Sequence, residues 1–325
     1  MNNYFFARLS FAGIVVAGIV ICVVGGFIMQ KLWQSPWPMG FVEVNVANPA
    51  DSIQQPAYFF STRDQHLQPL VVSLPTWSKN YQSKDPLAPQ IKALNWNYIR
   101  PSYRSPTWAD SPCLTEKAIA NIDMAITFAI QHGKVDPKNI FVVGMSGGGY
   151  ATLGVYLKTN IPIKAFLAWA PISSLAAWYG EVMDKYPQYA NDILSCTGDV
   201  GQLNRESALA MSPLHWQPKA PHAGILEMYV GIHDGHKGSV SITHALNFFN
   251  KMATYLGYED SIISSQTYAS LRDRTMDPQA GYGTIDERQI FYKKAVGDLS
   301  ITVFDGTHEL LTEYCVKRLQ ELTLI

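Results

Sequence analysis

The stretch IFVVGMSGGGYATL, residues 140–153, restricts the fold more than any other part of this sequence. An apolar run from Ile140 to Val143 ends at Gly144, Met145 and Ser146 follow, and Gly147, Gly148 and Gly149 open a segment of helical composition. A strand that feeds a helix through so few residues must turn sharply. Side chains two positions either side of Ser146 would collide with neighbouring chain, so Gly144 and Gly148 read as steric requirements rather than loop filler. The helix beginning at Gly147 then points its free N–H groups and the positive end of its dipole at whatever lies beside Ser146.

Around this turn the chain alternates between two periodicities. Residues 41–46, 57–62, 69–74, 93–99, 164–170, 224–232 and 299–304 read as strands, and PLVVSL at 69–74 is apolar throughout, as a strand covered on both faces would be. Residues 114–133, 241–257 and 308–322 carry apolar residues at helical spacing, with Gly133 and Gly257 as C-terminal stops. Strands alternating with helices predict an α/β fold with a mostly parallel sheet covered on both faces, in which ligands bind beyond the carboxyl ends of the strands. Two stretches break the rhythm. The Trp- and Tyr-rich residues 178–220 read as a cap, and the polar, turn-prone residues 258–298 as an excursion before the last strand.

The chain has 325 residues, 47% hydrophobic and 12% aromatic, enough to bury a substantial core, and a formal net charge of −1 with scattered Lys and Arg. That balance excludes a disordered chain and offers no basic surface for nucleic acid. Residues 11–29 contain no charge and would span about 28 Å as a helix, close to a bilayer's hydrocarbon thickness. They predict an uncleaved transmembrane anchor, with a cleaved signal as the alternative. Arg8 ahead of the span orients the body away from the cytoplasm, in a periplasmic or extracellular setting. The expected organisation is a tail and anchor at 1–31, a linker at 32–54, and one catalytic domain at 55–325. Cys113, Cys196 and Cys315 in the body allow at most one internal disulfide, and they read most simply as buried thiols.

Ser146 on a strand–turn–helix elbow is a candidate nucleophile, and a serine hydroxyl needs a base and an orienting acid. With this elbow the chain order is Ser, then an acid, then His, each after a later strand. Asp234, directly after the strand at 224–232, is the candidate acid; Asp260, Asp273, Asp277 and Asp286 follow no strand, and Asp305 belongs to the turn before His308. His308, between the last strand and the last helix, is the candidate base, whereas His222 precedes its strand and His244 lies within a helix. An oxyanion would be received by the backbone N–H of Gly147 and by a second N–H after the strand at 69–74, assigned to Trp77 with Thr76 and Ser78 as neighbours. His233 and His236 could belong to a metal site but lack a third ligand in sequence, so they read as flanks of the acid's loop, and neither a metal nor a cofactor is expected.

The runs SPCLTEKAIANIDMAITFAI, VDPKNIFVVGMSGGGYATL, SPLHWQPKAP, YVGIHDGHKGSV and FDGTHELL resemble the catalytic domain of the prolyl-oligopeptidase family, and the chain is similar to related acyl-esterases of the α/β-hydrolase superfamily. The resemblance covers roughly residues 55–322. It implies an α/β-hydrolase fold, with Ser146, Asp234 and His308 as nucleophile, orienting acid and general base. Two departures stand out: there is no room for the family's β-propeller, and Val240 comes six residues after Asp234 where the family usually has three. No Glu pair for a peptide amino terminus is present either. These points favour an acetyl- or short-acyl esterase, with Trp178, Tyr179, Tyr186 and Tyr189 as stacking faces for a carbohydrate. The alternative is a serine peptidase acting on short peptides, and a further one is a non-catalytic binding protein on the same fold.

Overall fold

The computed structural model describes residues 37–47, 54–103, 113–198, 201–219 and 224–325. The chain divides into two units, Met1–Met39 and Gly40–Ile325; the first adds only residues 37–39 to the described part. The expected anchor at 11–29 lies outside the described residues, and no described helix is long and apolar enough to cross a membrane.

The second unit is built on a ten-stranded sheet in the order β1-β2-β4-β3-β5-β6-β7-β10-β9-β8. Its strands are β1 (Val42–Ala47), β2 (Gln54–Phe60), β3 (Gln68–Leu74), β4 (Asn97–Pro101), β5 (Val135–Met145), β6 (Ala165–Trp169), β7 (Ile225–Gly231), β8 (Thr284–Ile285), β9 (Arg288–Val296) and β10 (Leu299–Phe304). From β4 through β3, β5, β6 and β7 to β10 every pairing is parallel, and the flanking pairs at both edges are antiparallel. The central strands β3, β6 and β7 are buried along almost their whole length because helices cover both faces. Those helices include α1 (Leu87–Ala93), α2 (Glu116–His132), α3 (Gly147–Lys158), α7 (Thr243–Tyr255) and α9 (Thr312–Leu322). Between β6 and β7 run α4 (Leu175–Val182), α5 (Pro187–Thr197) and α6 (Arg205–Ala210), and α8 (Ser265–Arg272) precedes β8.

Several expectations change in detail. The α/β sheet is present, but residues 258–298 are not mere excursion: β9 extends the sheet as an antiparallel neighbour of β10. Its sequence RQIFYKKAV buries fully only Ile290 and carries Lys293 and Lys294, the charged composition that keeps a strand near a sheet edge from pairing with other chains. β1 is the strand expected at 41–46, but it pairs with β2, so the linker drawn at 32–54 takes in part of the sheet. The strand expected at 93–99 is the end of α1 followed by β4, and the last helix starts at Thr312 rather than at 308. Gly133 does end α2, but in extended conformation; it is small because a Cβ there would lie 3.0 Å from the Asn97 carboxamide oxygen and 2.9 Å from the Ala129 carbonyl oxygen.

Cys113 and Cys196 form a disulfide, 83 residues apart in sequence and 5.9 Å apart at Cα, against the expectation of free thiols. Cys315 is free and buried, and burial pushes its thiol pKa up. The bond fastens the end of α5 to the chain just before α2. Closing so long a loop restricts the unfolded chain, a contribution of about 2–4 kcal/mol. Replacing both cysteines by serine is expected to lower the unfolding free energy by about that amount, read from the midpoint of urea denaturation.

Candidate active site

β5 ends at Met145 and α3 begins at Gly147, so Ser146 alone makes the turn. It does so at φ 58° and ψ −118°, a conformation L side chains rarely adopt and one that costs on the order of 1–3 kcal/mol. The Ser146 N–H donates to the Trp169 carbonyl at 2.9 Å, and its own carbonyl accepts from Tyr150 N–H at 2.8 Å. The glycines around it are steric necessities. A Cβ on Gly144 would lie 2.2 Å from the Gly148 oxygen, and one on Gly148 would lie 2.3 Å from the Leu74 oxygen. A Cβ on Gly147 would lie 2.4 Å from the Trp77 backbone nitrogen, so the N–H groups expected to receive an oxyanion belong to backbone segments in direct contact. The Trp77 indole is fixed by donating to Asp192 at 2.9 Å and by an edge-on contact with Trp178.

Asp234 follows β7 and His308 follows β10, the adjacent parallel strand. The two loops are joined by backbone hydrogen bonds from Ile232 to Phe304 and from His233 to Gly306. His308 Nδ1 lies 2.7 Å from Asp234 Oδ2, with the carboxylate fully buried and the imidazole 18% exposed. Because a carboxylate only accepts, Nδ1 carries the proton and Nε2 is left with a lone pair. The other oxygen, Oδ1, accepts from Gly235 N–H at 2.8 Å and Val240 N–H at 3.3 Å. The long spacing from Asp234 to Val240 is thereby explained: the intervening residues loop out and return Val240 to the carboxylate.

The remaining candidates are engaged elsewhere. His233 Nε2 is 3.2 Å from Asp305 Oδ1, and Asp273 pairs with Arg272. Asp286 sits in the tight turn between β8 and β9. His244 is buried, its Nδ1 accepts from Ser173 N–H, and its Nε2 lies 3.3 Å from Glu181. His222 lies outside the described residues. Among the described residues no three His, Cys, Asp or Glu side chains gather as a metal site. Trp178 is not a stacking face: it is fully buried, and its indole donates to the Ser239 carbonyl at 2.7 Å.

One link is open. Among the described residues Ser146 Oγ, on a residue only 4% exposed, makes no hydrogen bond to His308, a bond that commonly tightens only when substrate is present. Gly144 and Met145, the two residues before Ser146, nonetheless line one cavity with His308. A residue that sequence reasoning missed, Gly238, lies between Asp234 and His308. A Cβ on Gly238 would fall 2.2 Å from Asp234 Oδ1 and 2.6 Å from His308 Cβ.

Residues 114–258 match the family model described as the prolyl oligopeptidase family. A search of curated proteins found no match. Among solved structures, the fold is similar to a puromycin-hydrolyzing peptidase of Mycobacterium tuberculosis, at 16% identity and a TM-score of 0.57 over 87% of this chain and 38% of the other. It is also similar to an acylaminoacyl peptidase of Pyrococcus horikoshii, at 14% identity and 0.58 over 92% and 42%. Prolyl oligopeptidase B of Galerina marginata aligns at 14% identity and 0.53 over 72% and 35%. The chain thus spans about two fifths of the length of the structures it matches.

Gly238→Ala is expected to displace Asp234 or His308 without disturbing the strands. Phosphonylation of Ser146 by a fluorophosphonate should slow at least about tenfold while the circular dichroism spectrum is kept.

Proposed function

We propose that this prolyl-oligopeptidase-like serine hydrolase of the α/β-hydrolase fold is a peptidase acting on short peptides, with Ser146 as nucleophile, Asp234 as orienting acid and His308 as general base. The observation that carries this reading is the 2.7 Å bond between His308 and Asp234 at the carboxyl ends of neighbouring strands, beyond the same sheet edge as the strained Ser146. In the proposed reaction His308 Nε2 takes the Ser146 proton as Oγ bonds to the peptide carbonyl carbon. Asp234 stabilises the imidazolium so formed. The oxyanion accepts from the N–H groups of Gly147 and Trp77, each worth about 3 kcal/mol in comparable sites. The C–N bond then breaks as the imidazolium passes its proton to the departing nitrogen, and water activated by His308 releases the acyl group from Ser146.

The family match over 114–258 and the likeness in fold to three enzymes named as peptidases favour peptide over ester substrates. The short-acyl ester preference expected from sequence therefore gives way to its alternative. The burial of Trp178 also weakens the carbohydrate-stacking rationale behind the ester reading. The same proposal puts the catalytic unit outside the cytoplasm, held to the membrane through residues 11–29. The Cys113–Cys196 bond supports it, since such bonds persist in oxidising compartments.

The test uses the full-length chain with Ala-Pro-p-nitroanilide and p-nitrophenyl acetate. The anilide should be cleaved, Ser146→Ala should abolish cleavage, and Asp234→Asn should lower kcat by about 10⁴-fold through loss of the productive tautomer. Turnover confined to the ester would restore the esterase reading. If a fluorophosphonate leaves Ser146 unlabelled, catalysis by this triad is ruled out.

A further inference from the structure

A cavity of about 360 Å³ lies against the loop of the general base. Met145, the residue before Ser146, walls it on one side, and His308 and Glu309 on another. We propose that this cavity receives the leaving-group half of the substrate and holds its free C-terminal carboxylate. The proposal rests on the peptidase reading above, which it narrows to short peptides cleaved near their carboxyl end.

The position follows from the chemistry. The base that takes the serine proton must return it to the departing amine, so the leaving group sits on the side of His308. A cavity bounded by His308 and by the residue preceding the nucleophile is on that side.

Its charges point to an anion. Lys79, Lys84 and Arg100 line it, against Asp85 and Glu309. Both carboxylates are already committed. Asp85 accepts from Arg100 Nη1 at 2.9 Å, from Leu87 N–H at 3.0 Å, and at short range from the Ser73 and Tyr98 hydroxyls. Glu309 accepts from Arg288 at 2.7 Å and from Thr307 N–H at 2.8 Å. Lys79 and Lys84, both exposed, have no carboxylate partner among the described residues. Arg100 is only 5% exposed, is engaged through Nη1 alone among the described residues, and has a buried Nε without an acceptor. A buried guanidinium with an incomplete set of acceptors is costly unless something completes it. Nε is closed to the cavity, but Nη2 carries no bond among the described residues, and a substrate carboxylate that reaches it forms a charge-assisted hydrogen bond there, beside Lys79 and Lys84.

Two readouts on the full-length chain test this. The first compares kcat/KM for acetyl-Ala-Pro-Ala-Ala with that for its C-terminal amide; the acid should be favoured at least about tenfold. The preference should fall severalfold in a Lys79→Ala/Lys84→Ala double variant, whose exposed substitutions spare the core that Arg100→Met would disturb by leaving Asp85 unpaired. The second measures protection of Ser146 from a fluorophosphonate by free Ala-Ala and by Ala-Ala amide, and only the acid should protect. Equal protection by acid and amide overturns the carboxylate site, whether or not peptides are cleaved. Protection by the acid alone, with neither peptide cleaved, keeps the site and removes the peptidase reading instead.

Discussion

The contact on which the site depends is the approach of the first turn of α3 to the carboxyl end of β3. With no side chains between them, Gly148 lies against the Leu74 carbonyl and Gly147 against the Trp77 amide. That closeness goes with the positive-φ turn at Ser146 and sets the backbone segments of Gly147 and Trp77 against each other. The strain is sustained because α3 is buried from Gly147 to Leu157, so the surrounding core fixes the helix more tightly than one residue can resist. A larger residue at 144 or 148 would separate helix from strand, and Ser146 and the amides of Gly147 and Trp77 would part together.

Asp234 is held in a different way. Its loop is braced by α4, through the Trp178 indole on the Ser239 carbonyl and the Glu181 carboxylate on Ser241 N–H at 3.1 Å. Burial pushes the Glu181 pKa up, but its interactions with His244 and the Ser241 amide outweigh that, and the carboxyl is held below its usual value. Glu181 therefore stays ionised as pH falls into the range where free carboxyls begin to protonate, and the brace persists with it. Behind α4, the disulfide fastens α5 to the chain before α2. The segment between β6 and β7 and the Asp234 loop are thus parts of one supported structure.

Much of this was legible in sequence because it is local. The glycines around Ser146, the apolar runs of β3, β5, β6, β7 and β10, and the loops of Asp234 and His308 each announce themselves within a dozen residues. What was hidden depends on partners distant in the chain. β9 alternates weakly and carries lysines, so its place in the sheet shows only once β10 is beside it. Pairing of Cys113 with Cys196 needs α5 folded back over the chain before α2, which spacing alone cannot reveal. Trp178 read as a candidate binding face because an aromatic in an insertion has the same appearance whether it faces solvent or core. Gly238 carries no motif; its need to be small comes from Asp234 and His308 converging on it.

The group of Ser73, Asp85, Tyr98 and Arg100 belongs to that hidden class, and stability alone does not account for it. Burial and the neighbouring Asp85 push the Tyr98 hydroxyl pKa well above its ordinary value, so it remains a donor and helps fix Asp85 in place. Asp85 in turn fixes Arg100 through one nitrogen. A buried ion pair generally adds little to folding that apolar residues of similar volume could not supply, because desolvation offsets the attraction. Among the described residues Arg100 is bonded only through Nη1, so its guanidinium is held in place with donors to spare on Nε and Nη2. The position of this group on a cavity shared with His308 makes recognition, rather than packing, the physical reason for a charge kept there.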